Sequence, residues 1–458
     1  MNLFSNFKQG ALLALILVWL FACTSGGTMV NQLPGHEVKP STVTSSPQKA
    51  EEFQVRDSIA RYKEGKPGRS IEQHIMNAPV PAAVGTMSIP HEWRYPGEPV
   101  NRENYAHFDD NPVKRAAEIP VSTFSIDVDT GAYANVRRFL NQGSLPAKDA
   151  VRVEEMINYF SYDYPLPKDK DRPFSITTEM APTPWNRDTV LLHVGLKGYE
   201  VDANQRPAAN LVFLVDVSGS MMSSDKLPLL KSGLKLLVQQ LRAQDRVSLV
   251  VYAGSTGLVL EPTPGDQKGK ILAALEGLTA GGSTNGGAGI RLAYAMAEQA
   301  HIPGGINRVL LATDGDFNVG TVNFEALKNL IEEQRKTGVS LTTLGFGTGN
   351  YNDHLMEQLA DAANGHYAYI DTLKEANKVL VTEIASTLQT IARDVKIQIE
   401  FNPAVVVEHR LIGYENRALK REDFNNDKVD AGDIGAGHTV TAIYEVALVN
   451  GRGARLEP

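Results

Sequence analysis

Covalent crosslinks are the first thing missing from this chain. Its 458 residues hold a single cysteine, Cys23, so no disulfide can form within it. An excess of positive charge is missing too. Lysine and arginine total 45 against 53 aspartates and glutamates, a formal net charge of −8. With no basic stripe there is no counterion release to drive nucleic-acid binding, and nucleic acid is excluded as a partner. The ten histidines are scattered and none sits in an HExxH pair, which removes that zinc-hydrolase signature. Ser220 is not a hydrolase nucleophile, because the elbow needs GxSxG and position 218 is Ser. No triad emerges, and the reading is that the chain is not an enzyme. What remains is ordinary in bulk: 42% hydrophobic and 21% charged residues suit a globular protein, and the length calls for two or three domains.

The N-terminus reads MNLFSNFKQGALLALILVWLFACTSGG. Lys8 gives a thin positive region, and Ala11 to Ala22 is an apolar stretch too short to span a bilayer comfortably. It ends in Leu20-Phe21-Ala22-Cys23, which resembles the lipobox of bacterial lipoproteins. That resemblance implies a signal peptide over 1–22 and a lipidated Cys23 as the first mature residue. The plainer alternative is a short uncleaved anchor with an idle thiol. On either reading the chain is exported and held at a membrane in the cell envelope. Thr24 after the cysteine resembles outer-membrane sorting if the organism is Gram-negative.

Residues 23–104 carry Thr, Ser, Pro, Gly and charge without a sustained period of 2 or 3.6, as in STVTSSPQKAEE. Such a segment buries too little apolar area to offset its ordering entropy, so it is expected to be a disordered tether. About 80 flexible residues reach on the order of 50 Å. Order is expected to begin near HEWRYPGEP.

Residues 105–205 read as a small α+β region with β character toward its end. STFSIDVDT is a strand, Thr130 caps a short helix through Leu140, and Asp149 caps a second helix with Val153, Met156, Ile157 and Phe160 on one face. FSITTEMAPT and TVLLHVGLKGYEV are strands. Over 206–388, strand-like runs (LVFLVD, RVSLVVY, RVLLATD, VSLTTLGFG, HYAYID) alternate with helical patterns. Leu227, Leu230, Leu234, Leu237 and Leu241 share one stripe; Phe324, Leu327, Leu330 and Ile331 share another that stops at Gly338. The alternation predicts an α/β, doubly wound, mainly parallel sheet with helices on both faces. After 389 the chain returns to strands in DVKIQIEFNP, AVVVEHRLIGYE and HTVTAIYEVALV. The β-rich segments before and after the α/β unit are expected to pair into one sandwich, with the α/β domain inserted. The chain stops at RGARLEP soon after a strand, so the C-terminal segment is expected to be incomplete.

Chemistry concentrates where strands leave the core. NLVFLVDVSGSMMSS begins as a run suited to a strand buried on both faces, then delivers Asp216, Ser218 and Ser220 at alternate positions. GGSTNGGAG, a glycine-rich loop opening a helix, carries Thr284, and RVLLATDGD ends in Asp314. In sheets of this kind ligands bind at the carboxyl ends of strands. Two carboxylates and three hydroxyls, with no His or Cys, suit a hard divalent cation, and Mg²⁺ over Ca²⁺, which recruits more oxygens.

Those segments, in that order and spacing, resemble the metal-ion-dependent adhesion site of von Willebrand factor type A (VWA) domains, over roughly residues 206–388. The resemblance implies Ser218 and Ser220 as direct ligands, Thr284 as a ligand when a partner is bound, and Asp216 and Asp314 as outer carboxylates, around Mg²⁺ (or Mn²⁺ or Ca²⁺). The flanks STFSIDVDTGAYANVRRFLNQGSLP, VRVEEMINYFSYDYP and NRALKREDFNNDKVDAGDIGAGHTVTA look like the arms of bacterial VWA lipoproteins of the YfbK type.

Four further patterns are set aside. Asp314-Gly-Asp316-Phe-Asn318 with Glu325 mimics a calcium loop, but Val319 stands where glycine is needed. Asp423, Asn425, Asp427, Asp430 and Asp433 read as a solvated acidic turn, and Asp127 and Asp129 as facing solvent or a cap. GFGTGN, residues 345–350, lacks the third glycine of a dinucleotide fingerprint and reads as a turn lining the metal cleft. The expected function is a membrane-tethered adhesion protein whose bound Mg²⁺ captures an Asp or Glu of a protein partner. The alternatives are an envelope assembly or chaperone-like scaffold and, least favoured, a metal-dependent hydrolase. Helix 372–388 is expected to relay occupancy to the sandwich.

Overall fold

The computed structural model describes residues 103–456 except 127–128, 170, 203–204, 316–323, 384–388, 427–428, 430 and 450. The expected signal peptide, Cys23 and nearly all of the tether lie outside the described residues, as do Asp127, Asp427, Asp430 and the Asp316–Val319 stretch.

The N-terminal arm supplies strands β1 (Lys114–Arg115), β2 (Val121–Ser125), β3 (Phe174–Pro182) and β4 (Val190–Gly198). The central unit supplies β5 (Ala209–Asp216), β6 (Arg246–Tyr252), β7 (Thr256–Pro264), β8 (Ile306–Thr313), β9 (Ser340–Phe346) and β10 (Tyr367–Ile370). The C-terminal arm supplies β11 (Thr390–Ala392), β12 (Lys396–Glu400), β13 (Val406–Ile412), β14 (Ala418–Leu419), β15 (Ile434–Gly435) and β16 (Thr439–Leu448).

The central sheet runs β10-β9-β8-β5-β6-β7, parallel except for the antiparallel edge β7. Its middle strand explains the unbroken apolar run in the sequence. Leu211, Phe213 and Val215 of β5 face one core with Leu230, Leu234 and Leu237 of helix Leu227–Gln239. Val212 and Leu214, pointing the other way, meet Ile290 and Ala293 of helix Gly286–Gln299 and Leu327 and Ile331 of helix Phe324–Arg335. A strand covered on both faces has no polar side to show.

The two arms interlock as expected. β4 pairs with β16 antiparallel from Val190↔Val446 to Lys197↔Thr439, inside a sheet of order β1-β13-β16-β4-β3. A second sheet, β12-β2-β14, again mixes the arms. Phe124, Ile397, Ile399, Leu192, Leu196 and Tyr444 fill the space between them. The central unit is therefore an insertion whose flanks close on each other.

The second helix of the N-terminal arm departs from expectation. It spans Val153–Asn158 with Arg152 at its N-cap, and it turns Glu154 and Glu155 inward. Val153 is 44% exposed and Phe160 is 50% exposed. The physical reason is Arg152: its Nε lies 3.4 Å from Glu155 Oε1, and its Nη2 lies 3.3 Å from Asp353 Oδ2 and 2.6 Å from Glu357 Oε2. These ion pairs dock the arm on helix Asp353–Ala362 of the central unit and outweigh the apolar stripe. Thr130 does stand at the N-cap of helix Gly131–Asn141, but its side chain makes no capping bond. Asp149 sits instead in a short 3₁₀ turn, Lys148–Ala150.

Asp129 is also corrected. It is buried, its Oδ1 accepts from Tyr367 N at 2.7 Å, and its Oδ2 lies 3.4 Å from Arg417 Nη2. Glu103, at the start of the described residues, accepts from Arg138 at 2.9 Å and from Gly349 N at 3.0 Å.

Candidate metal-ion site

β5 ends at Asp216, fully buried, and Val217 N still donates to Tyr252 O at 2.9 Å. Beyond it the chain folds into a 3₁₀ turn over Gly219–Met222. The carboxylate is held at both oxygens. Oδ1 accepts from Ser218 N at 2.8 Å, and Oδ2 accepts from Thr313 Oγ1 at 3.0 Å. Burial pushes its carboxyl up to about 6, and the nearby Asp314 adds to the rise. An acid held this far from water gains from any cation that reaches it.

Ser218 Oγ and Ser220 Oγ share a hydrogen bond at 2.9 Å. In an octahedral shell with metal–oxygen distances of about 2.0–2.1 Å, neighbouring ligand oxygens lie about 2.9 Å apart. The glycine-rich loop is bound to the same turn: Gly219 N donates to Gly282 O at 2.9 Å, and Gly281 N donates to Val217 O at 2.8 Å. Thr284 follows two residues later, half-buried, just before helix Gly286–Gln299.

Asp314, one residue beyond β8 and fully buried, faces a cation of the chain itself. Lys226 Nζ lies 2.9 Å from Asp314 Oδ2 and 3.1 Å from Asn350 Oδ1, while Asn350 Nδ2 donates to Asp314 Oδ2 at 3.2 Å. The loop after β9 thus does line the cleft, as its glycines suggested. The donors are all oxygen, Lys226 faces Asp314 and not Asp216, and the hydroxyl spacing equals an octahedral edge. That set fits a hard divalent cation. Among the described residues, no group of three or more His, Cys, Asp or Glu side chains is suited to a metal, so a softer or carboxylate-rich centre finds no support there.

Three residues of this cluster were not read from the sequence: Thr313, Lys226 and Asn350. Thr313 precedes Asp314 and looked like strand. Asn350 closes a glycine turn whose partner lies far off in the chain. Lys226 did leave a signal, because it stands where a helix-capping Ser, Thr or Asp is expected. The expected helix 372–388 is a short α-helix, Leu373–Asn377, running into a π-type turn at Lys378–Thr382; residues 384–388 are outside the described set. Asp423 belongs to a 3₁₀ turn, Arg421–Asn425, and its Oδ2 accepts from Lys420 N at 3.2 Å.

Sequence comparison agrees with this architecture. The family model of the von Willebrand factor type A domain matches residues 210–383, which covers the inserted sheet and every residue of the cluster. The chain carries a VWA domain. A von Willebrand factor model matches residues 99–193, and a model of the C-terminal part of the uncharacterized protein YfbK matches 386–458, so both arms around the VWA domain are matched as well. YfbK of Escherichia coli strain K12 is 54% identical over 359 residues, 77% of this chain and 62% of the relative. The chain therefore spans less than two thirds of that relative's length. Human inter-alpha-trypsin inhibitor heavy chain H4 is 29% identical over 146 residues, 30% of this chain and 16% of its own. A solved von Willebrand factor type A structure from Catenulispora acidiphila shares 17% identity at a TM-score of 0.39, covering 63% of this chain and 66% of its own. VWA domains mediate protein–protein interaction and adhesion.

Proposed function

We propose that this chain is a membrane-tethered capture protein that binds an Asp or Glu of a protein partner through a divalent cation, Mg²⁺ first. The observation that carries this is the pair of serine hydroxyls 2.9 Å apart beside the buried Asp216. Ser218, Ser220 and Thr284 would hold the ion directly, with Asp216 and Asp314 behind them. When bound, a divalent ion supplies a Lewis-acidic point that accepts a carboxylate oxygen. The chain's own residues do the rest: Thr313 and the Ser218 amide fix Asp216, and the Gly281–Gly282 loop is pinned to the serine turn. One such contact gives orientation and selectivity, and the surrounding surface adds the area that stable affinity needs.

Lipidation at Cys23 would hold the domain at the cell envelope, on the outer membrane if the organism is Gram-negative. Among the described residues, none beside the cluster is placed as a general base, which favours binding over hydrolysis.

Calorimetry with Mg²⁺ and Mn²⁺ tests the reading. Wild-type protein takes up one ion and loses its partner on chelation, whereas Asp216→Asn keeps its circular dichroism and takes up none. No ion uptake by the folded wild type overturns it.

A further inference from the structure

Lys226 breaks a local rule. It occupies the N-cap of helix Leu227–Gln239 without making a capping hydrogen bond, although a cation is disfavoured at the positive end of a helix. It is only 6% exposed, and lysine is almost never this buried unless paired. Its stem crosses Gly347 so closely that a Cβ there would lie 2.2 Å from Lys226 Cε. Gly347 also has φ +76°, so both space and backbone hold that position to glycine. The fold thus gives up a cap and a side chain to seat one ammonium against Asp314 and Asn350. When a residue offends local preference this way, function is the usual compensation.

We propose that Lys226 is a specificity-determining residue: a fixed positive charge that makes divalent-ion uptake conditional on a carboxylate arriving with it. The inference rests on the metal reading above and deepens it. Asp216 and Asp314 contribute two negative charges and Lys226 one positive, a sum of −1. A divalent ion would take the sum to +1 at a site whose two carboxylates are both 0% exposed. Unbalanced charge is costly where water is excluded, and one carboxylate from outside returns the sum to zero. Ion uptake and carboxylate binding are therefore positively coupled, and the coupling is reciprocal. Without Lys226 the two aspartates neutralise a divalent ion unaided, and an arriving carboxylate leaves a surplus of −1. The lysine thereby turns a plain cation site into one that demands an acidic partner.

Mn²⁺ calorimetry on the full chain at neutral pH, in acetate or in chloride at equal ionic strength, tests the coupling. The free Mn²⁺ is corrected for pairing with acetate. Wild-type protein is expected to bind Mn²⁺ about tenfold more tightly in saturating acetate than in chloride. Lys226→Met is expected to bind Mn²⁺ about tenfold more tightly than wild type in chloride, with no further gain from acetate. Lys226→Gln keeps a donor toward Asp314 and guards against a folding defect in the methionine variant; it should lose the acetate effect equally. An acetate effect that survives both neutral variants, or is absent from wild type, overturns the inference and leaves the metal reading standing. No Mn²⁺ uptake by any of the three proteins in either salt overturns both.

Discussion

Two acid-rich clusters in this molecule draw on residues only three apart, in a loop and at the start of the helix that follows it. Asn350 serves the site of Asp216, Asp314 and Lys226; Asp353 serves the contact that docks the N-terminal arm. In the docking contact Arg152 and Arg417 gather Glu155, Asp353, Glu357, Asp361 and Asp129. Burial raises Glu155 and pushes Glu357 up to about 7, so part of the surplus negative charge is met by protons. At the site burial likewise raises Asp216, to about 6. A perturbed acid alone therefore does not mark a functional centre. The difference lies in what surrounds it. The docking acids spend their oxygens on two planar guanidiniums, whereas the site sets two hydroxyls edge to edge beside its acid. A hydroxyl brings no countercharge to a carboxylate, but its oxygen suits a cation's shell.

The sharpest way to break this comparison is to treat Arg152 as the docking contact's counterpart of the ion. Arg152→Met leaves Glu155, Asp353 and Glu357 without a shared partner. Stability should fall by about 3–5 kcal/mol in urea unfolding, the usual result of stripping one partner from a buried ion cluster. Asp216→Asn should act with the opposite sign. It removes an acid whose carboxyl is raised from 3.8 to about 6, so above pH 6 the ion-free fold should gain about 1–3 kcal/mol. One variant takes a shared cation from acids that are already raised; the other takes away a raised acid itself. Equal losses from both variants would erase the distinction.

How much of this was legible beforehand differs between the same two clusters. The inserted sheet was readable because β5 and β8 are buried on both faces and so carry unbroken apolar runs ending in Asp216 and Asp314. The loop with Thr284 announced itself through its glycines. The docking contact was not readable, because Arg152 meets Glu357 across about 200 residues of chain. Periodicity scores apolar side chains and is blind to a charged face that finds its countercharge elsewhere. That blindness turned the Val153 helix inside out. Asp129 was misjudged for a related reason: its partner is a backbone amide of β10, which leaves no mark on local composition.

A gentler perturbation is pH. Glu357 sits near 4.5 when unfolded and about 7 when folded, so it binds its proton more tightly in the fold. Below about 4.5 it is protonated in both states and adds no slope; between about 4.5 and 7 stability falls as pH rises. Asp216 falls in an overlapping window with the same sign, so the measurement belongs in the Asp216→Asn background. There, thermal midpoints should decline from pH 5 to pH 7, and Glu357→Gln should reduce the decline by about one proton's linkage, the remainder belonging to the likewise raised Glu155. An unchanged slope would mean that the arginines, not protons, absorb the surplus.

The smallest expected effect is the most discriminating for the arm helix. Its apolar stripe says Val153 is core, and burial in a core would make Val153→Ala cost about 1–3 kcal/mol. The structure turns Glu155 inward and leaves Val153 44% exposed, so the substitution should stay within about 0.5 kcal/mol in urea unfolding. The two answers differ because ion pairing and apolar burial compete for the same half-turn of rotation. If Val153→Ala proves costly while Arg152→Met is mild, the helix is seated by its stripe, and the charged docking contact is a by-product rather than the cause.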